Sequence, residues 1–352
     1  MGLFPKDRDL TRPPHEVELR VDASFLRQRS EEVEIRLDHF LAQHLKWRSR
    51  TSIQELIKSE HVLVDPSTPD HPRGSGELKI ERRPGRKLRD GSRVLIKIPE
   101  ELRLPEPTET SDELVILYED EGILGVDKPP MLTVHPSGRH LSDTLIQRVH
   151  ARYGGTEKLE TGGAPRLCHR LDRETSGVVI IGKHPDAHVD VMRQFERRQV
   201  GKEYLAIVRG SPDADYGTIE LPIGPARASR IGLKMAIQVG GQDSLTEWRV
   251  VDRFPGCTLV SCVPHTGRQH QIRLHMEAIG HPLVGDKLYG PDDALFQRGV
   301  DGELTPEDYA LLGMERHALH NHRVTLRSPD TGETVDVVSP LPEDMQAYLD
   351  EV

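Results

Sequence analysis

One segment restricts the possible folds of this chain more than any other. From His169 to Gly177 it reads HRLDRETSG, and it runs without a break into Val178-Val179-Ile180-Ile181-Gly182. A charge-dense stretch followed at once by a β-branched run predicts a loop that feeds a buried strand. The loop carries one aspartate, Asp172, with Arg170 and Arg173 close by in sequence. A nearby guanidinium favours the charged form of an acid, so Asp172 is expected to stay ionised. An ionised carboxylate on a loop at a sheet edge can serve as nucleophile or base. It can equally be one half of a loop salt bridge.

Two further stretches share this density of polar groups: Lys202-Glu203-Tyr204-Leu205-Ala206, and His265 to His275, which reads HTGRQHQIRLH. In order and spacing the three together resemble the RluA-type pseudouridine synthases, and the resemblance covers roughly Glu113 to Pro340. It implies an isomerase that flips a uridine out of structured RNA. The enzyme breaks the C1′–N1 bond, turns the uracil and joins C5 to C1′. Nothing is oxidised and no group is lost, so no cofactor or metal is implied. The resemblance makes Asp172 the catalytic aspartate, as nucleophile or as acceptor of the C2′ proton; the sequence leaves both open. Arg273 is implied as the arginine that pairs with it, an arrangement that keeps an acid ionised and aimed. Arg268 is the second candidate for that role, or a phosphate ligand. Tyr204 supplies a flat face on which the flipped base can stack, and a hydroxyl for proton transfer. Arg170 resembles the arginine that wedges into the space left by the base; its plainer reading is a phosphate contact.

Two rival readings belong to other classes. A binding-only relative would keep the fold and lose the chemistry, which sits poorly with an aspartate, tyrosine and arginine all in place. A glycoside hydrolase also cleaves at C1′, but wants two facing carboxylates. Glu174 is the nearby second acid.

An RNA partner raises the question of charge, because the chain carries −10 overall. The distribution is uneven. Residues 36–100 hold 14 Lys+Arg against 9 Asp+Glu, a net of +5, whereas the 252 residues that follow hold 27 against 40. Phosphate contacts are local, so a positive module on an acidic body can bind RNA. Within 36–100 the apolar residues Leu37, Phe40, Leu41 and Leu45 recur at helical spacing. Ile53, Leu56 and Ile57 form a second stripe after Thr51-Ser52. His61–Val64 and Val94, Ile96 and Ile98 predict strands. This pattern resembles the small S-four-like (αL) RNA-binding domain. The resemblance points to Lys46, Arg48, Arg50 and Lys58 on its helical face. The basic stretch from His71 to Arg93 adds Arg82, Arg83, Arg86 and Lys87. The usual asparagine-glycine after the first strand is replaced here by Asp65 and a longer segment.

The expected organisation is therefore an extension over 1–35 with one short strand at Val17–Val21, a small α/β RNA-binding module over 36–100, and a linker over 101–112. A catalytic domain over 113–340 follows, with a helix or tail over 341–352. The linker, ELRLPEPTETSD, has two prolines and four acids. In the catalytic domain Leu114–Tyr118 and Ile123–Val126 predict a hairpin, and Ser142 a cap for a helix bearing Leu145, Ile146 and Val149. Pro185 starts a helix with Val189, Met192 and Phe195 as core positions and Gly201 as its end. Strands are expected at 202–209, 218–222, 246–254, 258–263, 320–326 and 335–338. The fold class is α+β: a mixed, largely antiparallel sheet with flanking helices.

Cofactor and compartment signals are few. Histidines at 265, 270 and 275 are five apart, the wrong interval for one helical face, and no HExxH motif occurs, so no metal is expected. His135 and His169 are expected as hydrogen-bonding scaffold. No Gly-rich phosphate loop suggests a nucleotide cofactor. Three cysteines without paired spacing fit a reducing cytoplasm, and Cys168 is expected to serve packing. No apolar run of about 18 residues predicts a membrane span. The start MGLFPKDRDL lacks a signal core, and Lys6 stands where a myristoylation start would need Ser or Thr. The large subunit's ribosomal RNA is favoured as partner, with transfer RNA as the alternative, because an appended S-four-like module resembles the ribosomal enzymes of the family.

Overall fold

The computed structural model describes residues 16–23, 33–44, 50–66, 76–97, 99, 114–135, 143–153, 164–227, 229, 231–290 and 292–352. The expected linker, Leu45, Lys46, Arg48, Ile98 and Ser142 lie outside them, as does the side chain of Arg50. The chain divides into two compact units, the second comprising, among the described residues, 114–134, 144–149 and 165–352.

The first unit packs two helices, α1 (Leu37–His44) and α2 (Arg50–Lys58), on a four-stranded antiparallel sheet. The strands run β1-β6-β3-β4, with β1 Glu16–Arg20, β3 Val62–Asp65, β4 Lys79–Ile80 and β6 Arg93–Lys97. A small ladder joins β2 (Ile35–Arg36) to β5 (Lys87–Leu88). The helical stripes meet the strands in one core of Leu37, Phe40, Leu41, Ile53, Ile57, Val62, Val94 and Ile96. Burying each such side chain is worth about 1.5–3 kcal/mol. Leu19, Val21 and Val33 belong to the same core. Of the expected extension over 1–35, the described residues 16–23 and 33–35 thus pack with the module. Val17, Leu19 and Val21 alternate at strand spacing, and Glu16–Arg20 pairs along its whole length with β6.

The second unit is built on a long sheet in the order β12-β15-β16-β11-β17-β10-β8-β7. Its strands are β7 Val115–Glu119, β8 Ile123–Lys128, β10 Ser176–Gly182, β11 Gly201–Arg209, β12 Tyr216–Glu220, β15 Leu245–Phe254, β16 Cys257–Pro264 and β17 Leu319–Arg327. Strand β9 (Arg166–Leu167) pairs with β10, and β18 (Thr334–Val338) with β17. The β10–β17 pairing is parallel and just two residues long, Ser176 with His320 and Gly177 with Asn321. Every other ladder between described strands is antiparallel. The α+β class expected from the sequence is the one observed. Beside this sheet, β13 (Ile223–Pro225) and β14 (Met235–Ile237) form a separate hairpin that the sequence did not suggest.

All seven residues of β10 are buried. Gly177 sits at φ +106, and a Cβ there would lie 2.3 Å from the Asn321 carbonyl oxygen, so the parallel seam requires glycine. Helix α3 spans Leu145–Tyr153 with Leu145, Ile146 and Val149 buried. Helix α4 spans Pro185–Glu196 and packs on β10. Two expectations for α4 are corrected. It ends at Glu196 rather than near Gly201: Arg198 takes the left-handed turn at φ 57, and Gly201 opens β11. Its fully buried residues are Ala187, Val191 and Gln194; Met192 and Phe195 pack against the core as expected, but Val189 is exposed. The Gln194 amide binds both the N–H and the carbonyl of Arg327, which turns that face inward. Helices α5 (Gln271–Ala278), α6 (Asp293–Asp301) and α7 (Pro306–Leu312) follow. Helix α8 (Glu343–Glu351) buries Met345 and Leu349 against Ile207, Val284 and Met314, so the expected 341–352 helix or tail is part of this unit. No helix among the described residues is long and apolar enough to cross a membrane.

Candidate active site

The loop His169–Thr175 enters β10 beside an open cleft of about 1210 Å³. Asp172, Tyr204 and Arg273 all line this cleft, as do Arg170, Arg268 and His270. The fold thus brings together the residues singled out in the three sequence motifs.

The loop is held from several directions. Thr175 N–H donates to the Asp172 carbonyl at 3.1 Å. Lys128, fully buried at the end of β8, donates to the carbonyls of Pro129, Leu132 and Arg173. Burial pushes its ammonium down to about 7. Arg316 donates to the Glu174 carbonyl at 3.2 Å and forks onto Asp344 of α8. Thr175 bonds His317 at 2.8 Å, Ser176 bonds His320 at 3.0 Å, and Asn321 donates to the Val178 carbonyl. His169 serves as scaffold, its Nε2 accepting from the Ile180 N–H at 2.9 Å. A carboxylate on a tethered loop loses little freedom when substrate arrives.

Asp172 is 28 % exposed at its side chain, and its Oδ2 lies 3.2 Å from Arg273 Nη1. Burial would raise its pKa, but the positive groups around it, the Arg273 guanidinium foremost, together hold the carboxyl below its ordinary range. The sequence placed Arg170 and Arg173 nearest Asp172. Both side chains are exposed, and it is Arg273, 101 residues away, that pairs with the acid. Arg268 does not take that role. Its Nε donates to the Asp243 carbonyl at 3.0 Å, which leaves it on the cleft wall.

Arg273 has a second and closer partner that sequence reasoning missed. Its Nε and Nη2 fork onto Asp286 at 2.7 and 2.9 Å. Asp286 is buried, and its Oδ1 also accepts from the N–H groups of Leu288 and Tyr289. These donors and Arg273 overcome desolvation and hold the Asp286 carboxyl far below the usual carboxylate range. The guanidinium is therefore fixed by one acid while its remaining corner faces the other. The lone acid in GDKLYG gave no sign of this in the sequence.

Tyr204 follows a register shift in β11 between Glu203 and Tyr204, a device that re-aims side chains next to sites. Burial, and then the negative charge of Asp172, raise its hydroxyl pKa, so it remains protonated. Glu174, the candidate second carboxylate of a hydrolase, does not line the cleft. Lys287 Nζ and the His317 N–H hold it at 2.9 and 3.1 Å, and its pKa lies at about 2. It is neither facing Asp172 across a substrate nor protonated to act as an acid.

The histidines have separate tasks. His265 faces Glu247, His275 bonds Thr246 and the Leu221 carbonyl, and His270 bonds Tyr289. Among the described residues no group of three His, Cys, Asp or Glu is placed to hold a metal ion. Cys168 is buried, as expected of a packing residue, and burial pushes its thiol up to about 12.

In the first unit Arg82 pairs with Glu60 at 2.7 Å, Arg86 with Glu81 at 3.6 Å, and Lys87 with Glu34. Lys58 and Arg83 are exposed, and neither forms an ion pair with a described residue. Of the described candidate basic residues, Arg82, Arg86 and Lys87 are therefore paired with acids of the same unit.

Comparison with known proteins agrees with this chemistry. The sequence profile of the family described as RNA pseudouridylate synthase matches residues 122–278, a range that contains Asp172, Tyr204 and Arg273. A Bacillus subtilis protein named as an uncharacterized RNA pseudouridine synthase, YlyB, is 34% identical over 315 residues, covering 90% of this chain and 93% of that one. A ribosomal large subunit pseudouridine synthase D of Xanthomonas campestris is 34% identical over 314 residues, covering 89% and 88%. Among solved structures, human RNA pseudouridylate synthase domain containing 1 superposes with a TM-score of 0.53 at 27% identity, covering 69% of this chain and 90% of that one. With a tethered, ionised aspartate in a cleft beside a protonated tyrosine, and relatives matched over nearly their whole length, the chain belongs to the RluA-type RNA pseudouridine synthases.

Proposed function

We propose that this enzyme isomerises uridine in the large subunit's ribosomal RNA, with Asp172 as the carboxylate at the reacting sugar. The observation that carries the residue assignment is the Asp172–Arg273–Asp286 arrangement. An acid placed in a cleft and held ionised by an arginine that cannot move away is poised to act at C1′ or at the C2′ proton. Tyr204, on the same cleft wall, presents a ring to a flipped uracil and a hydroxyl to the exchanging proton at C5. We assign Arg170 and Arg268, which line the cleft, to backbone phosphates or to the space the base leaves. In the reaction the C1′–N1 bond breaks, C5 bonds to C1′, C5 loses its proton, and N1 gains one.

Ribosomal RNA is favoured over transfer RNA by the relatives that carry ribosomal names. The N-terminal module, which we read as S-four-like, supports the same choice. A ribosomal RNA substrate fits a cytoplasmic location.

Asp172→Asn tests the assignment, since the amide has the same shape but is neither nucleophile nor base. Pseudouridine formation on ribosomal RNA from cells lacking the gene should be abolished, with RNA binding retained. Turnover within about tenfold of the parent, about 1.4 kcal/mol of barrier, would overturn it. Running the parent enzyme on transfer RNA from the same cells decides the target: faster turnover there would replace the ribosomal reading.

A further inference from the structure

His270 stands beside the reacting carboxylate, and nothing in the reaction as described uses it. It precedes α5 in the left-handed region, at φ 59 and ψ 19, and its side chain is only 6 % exposed. Its Nε2 faces Asp172 Oδ2 at 3.8 Å. Its Nδ1 lies 2.9 Å from the hydroxyl of Tyr289.

The tautomer follows from the next link in the chain. The hydroxyl of Tyr289 accepts the backbone N–H of Met235, in β14, at 3.0 Å. Tyr289 is buried, and its hydroxyl proton has no described acceptor other than His270 Nδ1. A buried O–H is strongly disfavoured without an acceptor. The hydroxyl therefore donates to Nδ1, and the ring carries its proton on Nε2, aimed at Asp172. The Gln269 amide is 3.5 Å from the same Nε2. That is too long to set the tautomer, and an exposed amide can turn its oxygen to accept the Nε2 proton.

We propose that His270 is a positioning residue for the isomerisation: a neutral imidazole, fixed as the Nε2–H tautomer by Met235 and Tyr289, that closes onto Asp172 when RNA is bound. The proposal rests on Asp172 being the reacting carboxylate. The 3.8 Å gap is of the kind that tightens in a substrate complex. Burial and the Arg273 charge push the imidazole down to about 4, so it stays neutral, and a hydrogen bond rather than a second cation reaches the acid. The charged and titratable groups facing this pair are Arg273, Asp286, His317, Tyr289, Tyr204 and Lys128. Arg273 already donates to Oδ2 through Nη1 at 3.2 Å, and His270 adds a second donor to the same oxygen.

Two substitutions separate this role from a structural one. Asparagine tolerates the left-handed backbone at least as well as histidine, but its amide reaches only as far as Nδ1. Glutamine fits that backbone less well, yet can place an N–H where Nε2 stands. Single-turnover rates are measured on ribosomal RNA across pH, with thermal melting as the check on folding and Asp172→Asn as the reference. His270→Gln should keep its rate within about threefold. His270→Asn should lose about tenfold or more in the single-turnover rate at saturating enzyme, with its acid limb moved to higher pH because Asp172 has lost a donor. A purely structural role predicts the reverse order and an unmoved acid limb, and either result would overturn the proposal. Nitrogen-15 spectra of histidine-labelled enzyme, assigned through His270→Gln, should show the Nε2–H form in the parent and its loss in Tyr289→Phe. A parent spectrum with the proton on Nδ1 would also overturn it. Retained turnover in Asp172→Asn would instead reject the aspartate assignment, whatever the spectrum shows.

Discussion

Arg273 serves two carboxylates unequally, and the difference is open to experiment. Asp286 takes two of its nitrogens, and Asp172 a third. Asp286→Asn should cost about 3–5 kcal/mol of stability, because a buried guanidinium loses its main counter-charge; melting in urea measures this. The pH dependence has a definite sign. Asp286 and Glu174 both have pKa values below those of the unfolded chain. Their stabilising effect is present above about pH 4 and is lost as pH falls through the folded values. Asp286→Asn should therefore flatten the acid side of the stability curve, with little change in its slope near neutrality. An equal loss at pH 3 and pH 7 would refute this account. At this scale the sequence was readable where the motif is contiguous. Asp172, Tyr204 and Arg273 could be picked from three short strings. Asp286, His270 and Tyr289 could not be assigned, because their roles depend on partners 13 and 19 residues away that only the fold brings together.

Strands and helices divide the same way. Strand β10 was legible because a continuous β-branched run has few alternatives. Helix α5 was not, because Gln271, Arg273 and His275 are buried polar residues that hide the apolar stripe of Ile272 and Met276. The β13–β14 hairpin escaped because each strand is three residues long, too short to show alternation. Helix α8 was left undecided between helix and tail, yet it fixes the site at second hand. Asp344 holds Arg316, and Arg316 holds the Glu174 carbonyl two residues after Asp172. Deleting 343–352 should uncover Ile207, Val284 and Met314 and lower stability by roughly 3–6 kcal/mol, from two lost apolar anchors. Turnover should fall as well, as the loop loosens. A deletion that melts like the parent and retains full turnover would show that α8 does not support the site.

At the scale of the whole molecule, the proposed RNA partner would meet a chain whose residues 36–100 carry a net +5 and whose following 252 residues carry a net −13. Arg82, Arg86 and Lys87 already pair with acids of the first unit, whereas Lys58 and Arg83 form no ion pair with a described residue and are the candidates to test as phosphate ligands. Replacing both with alanine should weaken RNA binding and lower the slope of log K against log salt by about 1–2, since each neutralised phosphate contributes about 0.7–0.9. Turnover at saturating RNA should not change. An unaltered slope would show that this face does not touch RNA. The long-range ties described above also bear on the birth of the protein. Asp172 is synthesised well before the residues that hold its loop: Thr175 waits for His317 and Ser176 for His320, 142 and 144 residues later. At 5–20 residues per second, that is a delay of roughly seven to thirty seconds. Throughout it the nascent chain carries Asp172 without the seam that ties down its loop. The loop that bears the proposed reacting carboxylate is thus among the parts of the second unit that are completed late, only once His317 and His320 have been made.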